Sequence, residues 1–553
     1  MEAGRFAARD RHRAARLGLA ALAAAACTAD HYSRSADREV AGVLDEFNRQ
    51  GVADRAERIR MPELAVPEPK GVRDDAPASE ETSAAPAEAA PSQPPLVLDL
   101  KTTLATALRQ SRRFQDTRES LYLQGLGFTF TRFQYGPQFS AAVDYVWGDG
   151  DGTPASSSVG GGLGVSQLLP TNGTLSLNGG FSKSMNRDDG GAGDDWSTST
   201  AIRLTQPLLR GAGYGLYRET LTQAERSMVY AVRDFELFRQ QFTIDTTRQF
   251  FALVAQKRKL ANSARDVETA IFEERKFVAL KDLGRAFDKD VINARRRRLS
   301  TASSFEDART EFQRAVERFL VDLGLDPRTP VELVEEEPPF EMAAFDPVSA
   351  VAVAMHNRLD VQNRREQIED AERQFQLARN DLLPDLNVSA SYFSSGADRH
   401  SGGALPDSWG RAASASLEIP LQTIDRRNSW RQAEISIART RRDWTLFVDE
   451  IKSSVENQIR QLATTERQIE IAVQSISDEE RATRLLEFRV EQGTADARDL
   501  TDARQKLIDQ RNNLIDLKVD HLIQRLTLYR NLGILFIGED GRWSVGAPAP
   551  EGR

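Results

Sequence analysis

The chain has 553 residues, of which 28% are charged, and its net charge is −9 at pH 7. This balance and a mean hydropathy of −0.48 argue against a bundle of apolar membrane helices, and against nucleic-acid binding, which requires a basic face. The apolar run Leu17 to Ala26 has ten residues, about half of the ~20 that a bilayer-spanning helix needs. Any membrane insertion must therefore use β-strands, whose alternating pattern such averages barely register.

The N-terminus has the features of an export signal, predicted over residues 1–27. Five arginines from Arg5 to Arg16 precede the apolar run, and small residues follow it. Cys27 ends the run and is the only cysteine, so it cannot form an internal disulfide. The stretch from Ala24 to Cys27 resembles a lipobox, whose cysteine becomes the lipid-modified N-terminus. Cleavage at an ordinary Ala-x-Ala site, with Cys27 removed or idle, is the alternative.

The next segment is predicted to be a tether rather than a folded domain. Residues 62–96 are rich in Pro, Ala, Glu and Ser, a composition typical of extended or disordered chain. The predicted organisation is an N-terminal segment and tether over 28–96, repeat 1 over 97–327, a linker over 328–345, repeat 2 over 346–535 and a tail over 536–553.

An internal repeat appears when the sequence is compared with itself at an offset of 209 residues. Over 223–324 and 432–533, 20 of 102 positions are identical without a gap. Structure-breaking residues coincide, since Gly284 aligns with Gly493 and each copy ends in Leu-Gly. Matching breakers at one offset predict one architecture made twice.

Each repeat is predicted to contain a long helical hairpin. Pro is absent from 208 to 326 and from 421 to 547, and Gly284 and Gly493 are the only internal glycines of the two copies. Leu and Val recur at the coiled-coil spacing, and a helix of this length would be roughly 100 Å long. The predicted helices are 100–134, 216–283, 288–323, 346–381, 427–491 and 497–532.

A sequence pattern typical of β-strands precedes each long helix. Apolar residues alternate with polar ones in 138–147 and 385–393, and the returning strands are 198–206 and 412–420. Repeat 1 carries an additional hairpin, 159–168 and 173–183, joined through an Asn-Gly turn. Polar loops are predicted at 148–158, 185–197 and 394–411.

These strands suit a membrane barrel shared between chains, although an ordinary soluble sheet is the alternative for the strands alone. Two to six strands from one chain are too few to close a channel-sized barrel. Two helical hairpins per chain likewise need neighbours to cover their apolar seams. The residues thus predict a cyclic oligomer with one barrel and one helical tube.

These features resemble the TolC-like outer-membrane efflux family over about residues 97–535. The resemblance is carried by the duplicated unit, by Leu204-Thr205-Gln206-Pro207-Leu208-Leu209, and by two tip motifs, Gly284 to Ala294 and Gly493 to Ala503. It implies an α+β fold: antiparallel coiled-coil hairpins forming a helical barrel, plus transmembrane strands contributed to a shared trimeric β-barrel.

The resemblance also implies a function and partners. The chain would be a passive homotrimeric duct in the outer membrane, with a large periplasmic portion. It would serve tripartite efflux or type I secretion and open when a periplasmic adaptor and an inner-membrane pump dock at the tip turns Gly284 and Gly493. Acidic rings narrow the tips of related channels and fall here on Asp499 and Asp502, with Asp290 as the first-repeat counterpart.

Two points remain open at the tips. Asp499 and Asp502 are three residues apart and share a helix face, but an acid in a first helical turn is also favoured by the helix dipole alone. Some relatives close the tip with a Tyr and an Arg, at positions occupied here by Val490 and Ala495. That latch is therefore absent.

An enzyme is not expected. The five histidines show no metal-ligand spacing, and Cys27 lies in the signal region, so neither a metal centre nor a cysteine nucleophile has a candidate. No cofactor is predicted. The main rival is a periplasmic coiled-coil adaptor or scaffold, which would share the hairpins but would not need duplicated amphipathic strand pairs.

Overall fold

A computed structural model describes residues 29–49, 95–150, 153–186, 194–284, 286–342, 345–398, 408–492, 494, 497–538 and 540–546. The chain divides into two compact units. The strand unit comprises Met1–Phe47, Leu121–Val232 and Gln362–Leu446, and the hairpin unit comprises Asn48–Ser120, Arg233–Val361 and Phe447–Arg553. Cys27 and Gly493 lie outside the described residues.

The helices follow the breakers in the sequence. Their bounds are α1 Ala29–Arg49, α2 Leu100–Gln110, α3 Arg112–Gln134, α4 Tyr214–Asp282, α5 Asp288–Leu323, α6 Pro347–Asn357, α7 Leu359–Asn380, α8 Ile424–Glu491 and α9 Ala497–Asn531. In the described ranges every helix is too polar or too short to cross a bilayer.

The strands form one large sheet and two small ones. Their bounds are β1 Leu96–Leu98, β2 Gln138–Gly150, β3 Thr153–Leu168, β4 Thr174–Asn186, β5 Asp194–Pro207, β6 Val331–Leu333, β7 Asp385–Asp398, β8 Ser408–Glu418, β9 Leu535–Ile537 and β10 Trp543–Val545. The large sheet has the order β2-β3-β4-β5-β7-β8, and all of its neighbours are antiparallel.

The additional hairpin of repeat 1 lies inside this sheet as β3 and β4. It separates β2 from β5, which are the counterparts of β7 and β8 in repeat 2. The predicted loop at 148–158 was wrong, because β2 continues to Gly150 and β3 begins at Thr153. The residues at these strand ends are polar or small on both faces of the sheet. They therefore lack the alternation of apolar and polar residues by which a half-buried strand is recognised, although the backbone hydrogen bonds between β2 and β3 continue.

Two helices that were predicted as continuous are broken. The helix predicted at 100–134 breaks at Ser111, and the one at 346–381 breaks at Arg358; both residues are extended. The Leu-Gly turns that end α5 and α9 lie against these breaks. A Cβ on Gly324 would lie 2.0 Å from the Gln110 carbonyl oxygen, and one on Gly533 would lie 2.7 Å from the Asn357 carbonyl carbon. The breaks are thus tertiary features that repeat with the duplication.

The core of the hairpin unit consists of the apolar seams of its helices. Leu253 and its repeat counterpart Leu462 are both buried, as are Leu320 and Leu522. Phe114, at the start of α3, packs against three aromatic rings of α4 with centroids 5.3 to 6.1 Å away. Of the predicted heptad positions, Leu253 is buried, Leu260, Val267 and Ile271 are half-buried, and Val278 is exposed.

Three small elements were not predicted. β1 pairs in parallel with β6, and β9 pairs with β10. β6 lies in the predicted linker and β10 in the predicted tail, whereas β1 and β9 lie at the start of repeat 1 and the end of repeat 2; strands of three residues leave no periodicity to detect. Helix α1 lies in the predicted N-terminal segment, before the Pro-rich tether at 62–96, and its Val40, Leu44 and Phe47 are buried.

Candidate functional site

One face of the six-stranded sheet carries most of the large apolar side chains of all six strands, and its polar members include Lys183, Thr198, Thr200, Ser394 and Arg411. In β2 the apolar row is Phe139, Ala141, Val143 and Tyr145, and the register carries it to the neighbouring strands. The large members are exposed, with Val143 exposed by 84%. Beyond β2 the row includes Leu163, Val165, Leu175, Leu177, Phe181, Ile202, Leu204, Val388, Tyr392, Trp409 and Leu417.

The opposite face is small and polar. In β3 and β4 the side chains on this face are Ser, Thr or Asn, or are absent because the residue is Gly, apart from Leu168 at the end of β3. In β7 and β8 the row is mostly Ser, and Ser389 lies opposite Ser414 with their hydroxyl oxygens 2.7 Å apart. Val146, Leu168 and Phe393 are the large apolar exceptions. The sheet therefore has one largely apolar surface and one hydrophilic surface.

Aromatic rings cover glycines on both faces. A Cβ on Gly161 would meet the Phe181 ring at 2.7 Å, and a Cβ on Gly410 would meet the Phe393 ring at 2.4 Å. The glycines thus give the rings room to lie flat along the neighbouring strand. This cross-strand packing helps to fix the register that separates the two faces.

One end of the sheet is held by hydrogen bonds around the Asn-Gly turn. Asn172 has φ +64°, and its side-chain nitrogen donates to the Gly211 carbonyl oxygen at 2.6 Å. The Gly211 amide in turn donates to the Asn380 side-chain oxygen at 2.8 Å. Arg210 donates to Asp385 at 2.5 Å, and Arg426 lies 3.6 Å from the same carboxylate. These contacts connect both repeats at the point where strands pass into helices.

The first tip turn lies in the hairpin unit between α4 and α5. Gly284 has φ +70°, which is the left-handed conformation that glycine favours after a helix. Asp290 accepts a hydrogen bond from the Phe287 backbone amide at 3.0 Å, the reach-back contact of a capping box. Lys281 and Asp288 form an ion pair across the turn. Asp290, predicted at a constriction, therefore has a structural role as a helix cap.

The second tip is described only in part. Asp499 and Asp502 lie in the first two turns of α9, and both are exposed. Ala503 is buried to the same degree as its counterpart Ala294. The side chains of Val490 and Ala495, where the latch of some relatives would lie, are outside the described residues. Asp499 and Asp502 are thus available to solvent, as a pore-lining role requires.

Apolar side chains exposed at the first tip were missed in the sequence. Phe287 is exposed by 81% and Leu283 by 70%, and Ile292 on the next turn is also exposed. The signal was available, because Leu283 and Phe287 flank a glycine turn that is otherwise polar. Large apolar residues that protrude from a turn are typical of a contact surface.

The described residues offer no alternative metal site, because no group of three or more His, Cys, Asp or Glu side chains is close enough to hold an ion.

Comparison with known proteins agrees with this geometry. Residues 351–534 match the model of the outer membrane efflux protein family. The chain carries an outer membrane efflux protein domain. No curated protein matches the sequence.

Several solved outer-membrane channels share the fold. OprN has a TM-score of 0.59 and 16% identity, over 80% of this chain and 90% of that one. CmeC of Campylobacter jejuni has a TM-score of 0.59 and 13% identity, over 78% and 85%. VceC of Vibrio cholerae has a TM-score of 0.58 and 14% identity, over 78% and 96%. The family match over residues 351–534 supports the resemblance to the TolC-like outer-membrane efflux family, and the solved structures confirm its fold of helical hairpins and a sheet.

Proposed function

We propose that this protein is the outer-membrane channel component of a tripartite efflux or type I secretion system. The observation that carries the proposal is the exposed apolar face of the six-stranded sheet, backed by a small polar face, in a chain with an efflux protein domain. In water such a face would be a large aggregation-prone patch. Against lipid it is the required surface, and the polar face would then line an aqueous lumen.

The strand lengths support membrane insertion. The six strands have 11 to 16 residues, and a tilted strand needs about 9–11 to cross the hydrocarbon core. Open sheet edges do not occur in lipid, because every backbone amide and carbonyl must be paired. Several chains must therefore close one barrel, and we propose the homotrimer implied by the family.

The tips are the proposed docking site for a periplasmic adaptor and an inner-membrane pump. Leu283 and Phe287 at the first tip offer an apolar contact, and docking would open the duct. Asp499 and Asp502 are proposed to line the constriction. Asp290 is the weakest member of the predicted constriction, because its carboxylate already caps α5.

The membrane anchor at Cys27 is a further part of the proposal. Helix α1 begins two residues after Cys27 and packs on α3, where the Phe47 and Phe128 rings meet at 5.8 Å. A lipid on Cys27 would therefore be held near the strand unit. Mass spectrometry of the mature N-terminus tests this, and an unmodified start after Cys27 would refute it.

A periplasmic adaptor or scaffold is the alternative function. It accounts for the long hairpins but gives no reason for an apolar row that crosses six strands and remains exposed. Location separates the two, since a channel sediments with the outer membrane as an oligomer, whereas a scaffold is released with the periplasm.

The decisive experiment combines reconstitution with a pair of matched variants in β2. Purified protein should form conducting oligomers in planar bilayers. Val143→Lys places a charge on the apolar face and should cost about 2–4 kcal/mol in the membrane, whereas Ala142→Lys places it on the polar face. We expect Val143→Lys to lose membrane assembly and Ala142→Lys to keep it. Equal behaviour of the two variants, or no conductance from the unmodified chain, would overturn the proposal.

A further inference from the structure

The large sheet has two more strands than a simple duplication of the strand pair of repeat 2 would give. Repeat 2 contributes two strands, β7 and β8, whereas repeat 1 contributes four, because β3 and β4 are inserted between β2 and β5. We infer that β2 of one copy pairs with β8 of the next, so that three copies, each with six strands, close an 18-stranded barrel. This inference rests on the proposed channel function and concerns the size of its lumen.

The inserted hairpin belongs to the wall and does not lie across the lumen. Its register is continuous on both sides, with Val143 opposite Gly161, Gly161 opposite Phe181, and Phe181 opposite Thr198. The apolar face also continues through it, since Leu163 is exposed by 72%. A hairpin folded inside the lumen would instead break this register and bury its apolar row.

The two edges of the sheet are suited to pairing with another copy. β2 and β8 have 13 and 11 residues, and each pairs on one side only within the described chain. Proteins usually protect such edges with Lys, Pro or a bulge. Neither strand contains Lys or Pro, and the register irregularity of β2 is confined to its end, between Gly148 and Gly150. Because six is even and all neighbours are antiparallel, β8 and the next β2 also run in opposite directions. The edges are therefore complementary in direction as well as unprotected.

The expected lumen is wide and hydrated. With strands about 4.8 Å apart and tilted by about 40°, 18 strands give a backbone diameter of about 36 Å, whereas 12 would give about 24 Å. Glycines at 160, 162, 164 and 180 leave part of the hairpin's polar face without side chains, and its other residues are mostly small, so the added width is only partly refilled. Barrels of 16 to 18 strands leave an aqueous channel.

Disulfide crosslinking tests the junction between copies. Ala142→Cys in β2 is combined in turn with Ala412→Cys, Ser414→Cys and Ser416→Cys in β8, which scans the unknown register. Because β2 and β8 are opposite edges of one sheet, a disulfide can form only between copies and should give covalent dimers and trimers. Asn178→Cys in β4, combined with Ser414→Cys, is the matched control and should give none. Crosslinking in the control alone would contradict the junction.

Electron microscopy of full-length trimers tests the strand number. Deleting residues 153–186 removes β3 and β4 and should narrow the barrel from about 36 Å to about 24 Å. Deleting residues 401–405, which lie between β7 and β8 in sequence, keeps every described strand and should leave the width unchanged. A full-length barrel about 24 Å wide, or the same width with and without the hairpin, would overturn the inference while leaving a channel. A particle that forms no membrane ring would instead overturn the proposed function.

If the deletion variant does not fold, the width of the lumen can be measured on the unmodified channel by polymer exclusion. Polyethylene glycols of increasing size are added from the barrel side of a planar bilayer. An 18-stranded lumen should admit polymers about 1.5 times wider than a 12-stranded one, and the cut-off expected for 12 strands would count against the inference.

Discussion

Arg373 on α7 holds Glu219 on α4 in the strand unit, with its Nε atom 3.0 Å from both carboxylate oxygens. The same guanidinium donates to Asp370 at 2.8 Å, and Asp370 accepts a second hydrogen bond from the Tyr230 hydroxyl at 2.6 Å. Glu219 and Asp370 are nearly buried, with side chains 11% and 12% exposed. The two repeats are thus joined by a compact polar network whose charges are largely removed from water.

We predict that Arg373→Met lowers the free energy of unfolding by about 2–3 kcal/mol. Removing Arg373 leaves the Glu219 carboxylate without its cation, whereas Asp370 keeps the Arg226 guanidinium at 3.1 Å. The cost of about 3–5 kcal/mol for a fully buried pair is reduced here because the Arg373 side chain is a quarter exposed. Arg441→Met is the matched control, since its pair with Glu372 joins the same unit but is mostly exposed and should cost under about 1 kcal/mol. Denaturant unfolding followed by tryptophan fluorescence measures both. Equal losses would show that the network adds nothing beyond a surface pair.

A second prediction concerns the docking of α1 on α3 and its dependence on pH. Burial and then a hydrogen bond to Asp37, 2.6 Å from the hydroxyl, raise the pKa of Tyr122 to about 12. Because the pKa is raised in the folded state, the contribution of Tyr122 is fully present below pH ~10, where the unfolded chain holds its proton. It should be lost as the pH rises from about 10 to 12.

Tyr122→Phe tests this directly. The variant should lose the hydrogen bond at neutral pH and should show a flatter decline of stability between pH 10 and 12 than the unmodified chain. The difference in ultraviolet absorbance between the two proteins, followed with pH, gives the titration of this one tyrosine. A midpoint near pH 10 would show that α1 does not cover the hydroxyl in solution.

Two glycines of repeat 1 give a third prediction. Gly324 and Gly284 both have positive φ, but a Cβ on Gly284 would meet nothing within 4 Å, whereas one on Gly324 would collide with the Gln110 backbone. Gly284→Ala should therefore cost only the left-handed strain, about 1–2 kcal/mol. Gly324→Ala should add about 1–3 kcal/mol for overpacking. Thermal unfolding of the two variants gives the order, and a Gly284→Ala variant that is the less stable of the two would contradict it.

The helical hairpins could be predicted from sequence because their limits are local signals. Gly284 and the paired Leu-Gly stops lie where the structure ends its helices, and the predicted heptad rows are buried or half-buried except at Val278. The breaks at Ser111 and Arg358 could not be predicted, because they are caused by the approach of turns more than 170 residues away in sequence and neither position contains a breaker.

The strands were predicted where one face was apolar and missed where both faces were polar. The row through Phe139 and Tyr145 gave the alternation, but β2 and β3 extend beyond it through glycines and serines. At the tips, Asp290 was placed by motif alignment alone, and only the structure shows that its carboxylate accepts from the Phe287 amide. A motif position gives the residue type but does not give the hydrogen-bond partner.

The last prediction concerns the second tip. The side chains of Asp499 and Asp502 are both exposed in the first two turns of α9. In the proposed trimer, three copies of each carboxylate would line the constriction at the tip. Carboxylates confined in a narrow aqueous passage create a negative potential of several kT, and rings of Asp favour cations over anions. The proposed channel should therefore be cation-selective, and multivalent cations should block it. Lowering the pH far enough to protonate the carboxylates should weaken both properties.

The double substitution of Asp499 and Asp502 by Ala should weaken cation selectivity and relieve block, measured as the shift in reversal potential under a salt gradient. Asp290→Asn is the matched control from the first repeat: it removes one charge per copy, but the carboxylate it replaces is engaged with the Phe287 amide. We expect a smaller shift from the control than from the double variant, because a carboxylate that caps a helix is directed toward its own backbone. If the double variant keeps its full selectivity, Asp499 and Asp502 do not line the constriction, and the favourable interaction of first-turn acids with the helix dipole is then sufficient to explain Asp499.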